Sequence, residues 1–196
     1  MTLRTLLATL IGFLWFATAH ATDSVAGIWS SELRSKGGLG SRMVLSADGT
    51  VTYTFGALVD FKYEVKGNKI TTTLLHSGQT VPGEVSVQEF NIEGDTLIID
   101  PNDPEKKQVM KRVGKQYPTA HPIVGEWTYK HYTGGPAYMR YARSGIVELS
   151  VPFQSLLGKY RLNKNIIEFE LQGQNPVMNK ILYSKSSIVL TDDSGK

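Results

Sequence analysis

Three of the four histidines, His76, His121 and His131, lie beyond the N-terminal leader and are the first residues whose chemistry matters, because imidazole serves both metal ligation and acid–base catalysis. A metal site needs two of them at ligand spacing with a carboxylate beside them. His76 falls in a turn-rich stretch, His121 beside a proline, and His131 just before Gly134-Gly135, none near another in sequence. No metal and no cofactor is therefore expected. Nucleophiles are equally sparse. Cysteine is absent, which removes thiol catalysis, disulfides, thiolate metal sites and lipid-acylated export. No Gly-x-Ser-x-Gly elbow occurs. Gly37-Gly38-Leu39-Gly40 precedes no helical pattern, so it reads as a loop rather than a phosphate cradle. Asp192-Asp193 reads as a solvated end. The expectation is a protein that is not an enzyme.

Aromatic residues say more. Tyr53, Phe55, Phe61 and Tyr63 alternate with polar residues on what read as adjacent strands, with their rings on one face. Such a set either fills a core or lines a pocket for a small apolar ligand. The elements that must position them are short antiparallel strands. Met43-Val44-Leu45 runs into Asp48-Gly49, and Thr50 to Phe55 returns. An Asp-Gly pair between such runs marks a hairpin, because glycine accepts the positive φ of a tight turn. Gly67-Asn68 and Glu93-Gly94-Asp95 mark two more reversals. Gln108 to Val113 closes a unit of about eight strands. No segment beyond the N-terminus carries a sustained helical period.

The pattern then repeats. Val25-Ala26-Gly27-Ile28-Trp29 matches Ile123-Val124-Gly125-Glu126-Trp127, and Asp48-Gly49-Thr50-Val51 matches Ser144-Gly145-Ile146-Val147. Tyr63 to Ile70 aligns with Tyr160 to Ile167, and Phe90, Ile92, Leu97 and Ile99 with Ile181, Tyr183, Ile188 and Leu190. Ordered matches of this kind indicate an internal duplication. The boundaries follow: a leader at 1–21, a first repeat at 22–115, a proline-containing linker at 116–122, and a second repeat at 123–196. The second repeat has no counterpart to Gln108–Val113. Its last strand, around Ile188 and Leu190, is left with an unpaired edge that invites a partner or self-association.

The Gly-x-Trp at Gly27 and Trp29, followed by an antiparallel meander and recurring at Gly125 and Trp127, resembles the bacterial lipocalin-like domains. That resemblance implies an all-β fold of two tandem small meander barrels, the second short of a strand. It also implies that Trp29 and Trp127 are structural residues closing each barrel floor.

Net charge is +3 over 196 residues, with no run of basic residues, so nucleic acid is not an expected partner. Arg4, the apolar stretch Leu6 to Ala17 and Ala19-His20-Ala21 have the layout of a secretory signal, with cleavage between Ala21 and Thr22. The expected product is exported, periplasmic or extracellular, with no transmembrane anchor after processing. Two functions fit. One is the binding of a small apolar ligand among Tyr53, Phe55, Phe61 and Tyr63. The other is a protein-interaction or inhibitor-like module that uses loops and the open strand edge.

Overall fold

The computed structural model describes residues 25–118 and 120–192; the leader and its Ala21–Thr22 junction lie outside the described residues. Among the described residues there is no helix. Thirteen strands form one antiparallel sheet in chain order. They are β1 (Gly27–Ser30), β2 (Leu39–Leu45), β3 (Thr50–Lys66), β4 (Lys69–His76), β5 (Gln79–Glu93), β6 (Thr96–Ile99), β7 (Gln108–Val113), β8 (Gly125–Lys130), β9 (Pro136–Tyr141), β10 (Ile146–Asn163), β11 (Ile166–Leu171), β12 (Val177–Tyr183) and β13 (Ile188–Thr191). The all-β meander matches the sequence reading. The strand count per repeat does not. Thr50–Phe55 and Phe61–Val65 are one strand of 17 residues, and its counterpart β10 has 18.

These two long strands organise the molecule, because they pair with each other from Thr50↔Lys159 to Lys62↔Ile146. A bulge between Pro152 and Gln154 leaves Phe153 out of the register. Opposite Pro152 stands Gly56, and a Cβ there would lie 2.1 Å from the Val151 carbonyl oxygen. Only glycine lets the strands approach so closely at the bend. Gly158 plays the same part further along β10, where a Cβ would lie 2.2 Å from the Glu170 carbonyl oxygen.

Because β3 pairs with β10, the pairings from β3 through β4, β5, β6, β7, β8 and β9 to β10 return to their start, a closed circuit of eight strands. The remaining pairings run β1-β2-β3-β10-β11-β12-β13, seven strands whose two ends, β1 and β13, each have one neighbour among the described residues. Two apolar cores correspond to these two circuits. The first holds Ile70, Leu97, Met110, Ile123, Trp127 and Val147; the second holds Val25, Leu45, Val51, Ile167, Phe169 and Ile181. Each core draws on both halves of the chain. Compared with the two halves matched in sequence, strands cross between them: core one joins β4–β7 to β8–β9, and core two joins β1–β2 to β11–β13.

Candidate functional site

The two Gly-x-Trp motifs make the same hydrogen bond. The indole N–H of Trp29 donates to the Val25 carbonyl at 2.9 Å, and that of Trp127 to the Ile123 carbonyl at 2.8 Å. The same four-residue step closes both motifs. What differs is the cover. Trp127 is fully buried, and the Arg112 guanidinium lies over its ring at 4.0 Å. Arg112 comes from β7, which pairs with β6 on one side and β8 on the other. Trp29 is only half-buried, and no strand corresponding to β7 stands beside it among the described residues.

The register shows which backbone groups of β1 and β13 face away from their one described neighbour. Ser184 N–H donates to the Ser187 carbonyl at 2.8 Å, so hydrogen-bonded pairs alternate from that point along β12–β13. Ile188 and Leu190 therefore turn their N–H and C=O groups to the outer side, while their side chains pack on core two. On β1, Ser31 N–H donates to the Ser41 carbonyl, which leaves Ile28 and Ser30 facing outward. The Ile28 carbonyl receives only a long contact from Arg140 Nη1 at 3.4 Å. A cleft of about 560 Å³ runs along β1 beside the β9–β10 hairpin, lined by Trp29, Ser30, Arg140, Ala142, Ser144 and Glu148 among others, with Lys185 and Ser186 of the β12–β13 turn at its margin and no residue of β13.

A polar seam fixes β1 in this position. Glu126, Arg140, Glu148 and Asp60 are successive cross-strand partners on β8, β9, β10 and β3. Ser30, Arg42 and Thr54 form a second row across β1, β2 and β3. The rows meet face to face: Arg42 bonds Glu126, and the Ser30 hydroxyl donates to Glu148 at 2.8 Å. Arg34 Nη2 reaches both Asp60 and Glu148 at 3.2 Å. Three arginines balance three carboxylates. Burial pushes the Glu126 carboxyl upward from its ordinary pKa, and the charges of Arg42 and Arg140 oppose that shift. Leaving one member unpaired in this setting costs more than the pair gains, so the seam holds together as a unit.

The aromatic set proposed from sequence is divided. Phe61 and Tyr63 pack against core one, and the Tyr63 ring meets Tyr141 edge-on at 5.2 Å. Phe55 is 39% exposed, and the Tyr53 hydroxyl lies 2.6 Å from that of Ser41; neither belongs to a core. The cause is a change of buried face along β3. Val51, Phe61 and Tyr63 are odd-numbered and face the cores, whereas between them the even-numbered Thr54 and Leu58 are buried. Sequence reasoning missed the seam because single charges on alternating strands read as solvated positions. The signal that would have found it is the order of charges once the β8–β9–β10–β3 register is known. No group of three His, Cys, Asp or Glu side chains suited to a metal occurs among the described residues. Comparison with protein-family models, with curated proteins and with solved structures gives no match.

Proposed function

We propose that this protein is a binding module without catalytic activity, whose binding surface is the gap between β13 and β1. In this reading the closed eight-strand circuit is a filled, lipocalin-like barrel, and the seven-strand circuit is the same barrel lacking one strand. The supporting observation is internal. β7 fills one position in the first circuit, and the corresponding position in the second holds no described strand. An edge with outward N–H and C=O groups at Ile188 and Leu190 recruits an extended polypeptide by strand addition. Leu182 and Val189, cross-strand partners beside that edge, are 72% and 54% exposed and extend the apolar surface a bound chain would meet.

Of the two functions read from sequence, the geometry supports the protein-interaction module over the small apolar ligand. The four aromatics assigned to the ligand do not converge, and both cores are filled by large side chains, Trp127 and Ile70 in one and Ile167 and Ile181 in the other.

The test is to append a copy of Gln108–Val113 after Lys196 through a short turn. A strand that occupies the gap raises Tm by about 2–4 °C for each kcal/mol gained and slows hydrogen exchange at Ile188 and Leu190. Unchanged melts and unchanged exchange at both amides refute the reading.

A further inference from the structure

We infer that the occupant of the β13–β1 gap is an extended segment of a partner polypeptide that places an apolar side chain into core two and, two residues later, a long cationic side chain over Trp29. The inference rests on the strand-acceptor reading above and adds the chemistry of the occupant.

The template is the chain's own β7. Its inward residues are Gln108, Met110 and Arg112, and its outward ones are Val109, Lys111 and Val113. Met110 is buried in core one, between β6 and β8. Arg112 lies flat on Trp127 and donates to the Pro122 carbonyl at 2.7 Å. In the second set of strands the two end strands, β13 and β1, carry matching residues. β13 carries Ile188 and Leu190 where β6 carries Leu97 and Ile99, and β1 carries Trp29 where β8 carries Trp127. The half-exposed Trp29 indole is the surface that Arg112 covers in the other circuit. One contact is not repeated: Asp95 bonds Arg112 at 3.1 Å, and Ser186 stands at the aligned position. The cation in the gap is therefore held by ring stacking more than by a carboxylate. β1 and β13 are four residues each, so the occupant pairs over about four residues, antiparallel to both neighbours, as β7 is to β6 and β8.

The probe is a synthetic peptide with the sequence Pro104 to Lys115, titrated into the full chain and followed by the amide and indole signals in NMR. Binding should shift the Trp29 indole N–H and protect Ile188 and Leu190, leaving Trp127 unchanged. Peptides carrying Met110→Asp or Arg112→Glu should each bind at least about tenfold more weakly. If the parent and both substituted peptides bind equally, the chemistry assigned here is wrong while the strand acceptor stands. If no peptide binds, the acceptor reading itself fails. Two other results also overturn the inference. One is Ile188 and Leu190 already protected in the free monomer, which means the chain's own terminal residues fill the gap. The other is protection that rises with protein concentration, which means a second copy fills it.

Discussion

The Tyr63 hydroxyl donates to the carbonyl of Ala142, 79 residues further along the chain, at 2.8 Å. Its counterpart in the second repeat, Tyr160, donates to the Ser46 carbonyl at the same distance. The backbone repeats the reciprocity, with Tyr63 N–H on Gly145 and Tyr160 N–H on Gly49. Each repeat thus anchors its tyrosine in the hairpin of the other. These contacts stitch the exchanged strands together at both ends of the β3–β10 ladder.

Tyr63→Phe and Tyr160→Phe should each lower stability by about 1 kcal/mol, the ordinary net value of one such hydrogen bond. The sites lie at opposite ends of the ladder, so the double variant should be additive within about 0.5 kcal/mol. Urea denaturation of the four proteins measures both quantities. A loss below about 0.3 kcal/mol in either single variant would count against the anchoring role.

Gly56→Ala should be far more damaging than its chemistry suggests. The added methyl meets the Val151 carbonyl, a backbone atom that moves only if β3 and β10 part. A cost of at least about 2 kcal/mol is expected, in the range of overpacked sites. Gly135→Ala is the control, because a Cβ there meets nothing within 4 Å. That variant should remain within about 0.5 kcal/mol of the parent.

Trp127→Ala should cost about 3–5 kcal/mol, the usual loss for a large buried aromatic. Two tryptophans closing two separate barrel floors would each act on its own half of the chain. With exchanged strands, the effect of Trp127→Ala should reach Ile70 and Leu97, which belong to the first repeat and share its core. Hydrogen exchange at Ile70, Leu97 and Ile167 distinguishes the cases. Faster exchange at Ile70 and Leu97, with less change at Ile167 in the second core, is the expected result.

Lys164 holds a left-handed backbone, φ +55°, at the turn where the first repeat has Gly67 at +61°. A side chain in that region costs about 1–2 kcal/mol, partly offset by the greater freedom glycine loses on folding. Lys164→Gly should therefore stabilise by about 0.5–1 kcal/mol, read as a rise in Tm.

Glu126 sets a pH dependence with a definite sign. Its carboxyl pKa is raised in the folded chain by burial, so the folded state binds its proton more readily than the unfolded state. This contribution favours folding at low pH and is lost as pH rises from about 4.3, the unperturbed glutamate value, through the raised folded value. Relative to Glu126→Gln, the parent should therefore lose stability over that window. Paired denaturation curves from pH 4 upward measure the difference, and a parent that instead gains on the variant would show that the arginines outweigh burial.

What the sequence determined by itself is local. The Gly-x-Trp motifs and the turns at Gly49, Gly67 and Gly145 follow from residue types at fixed spacing, and turn chemistry acts over only a few residues. The polar seam and the fate of the aromatics were not legible, because both depend on which strand lies beside which. The tertiary structure decided the exchange. Hairpins of matching sequence offer Tyr63 and Tyr160 equivalent carbonyls, so local pattern does not choose between the hairpin nearby in the chain and the distant one. The choice comes from β3 and β10 continuing unbroken past Gly56 and Pro152, where a glycine and a bulge let two long strands bend together instead of folding back. That same continuity changes the buried face within β3. It sends Tyr63 into a core and leaves Phe55 at the surface, although the alternation of the sequence treats them alike.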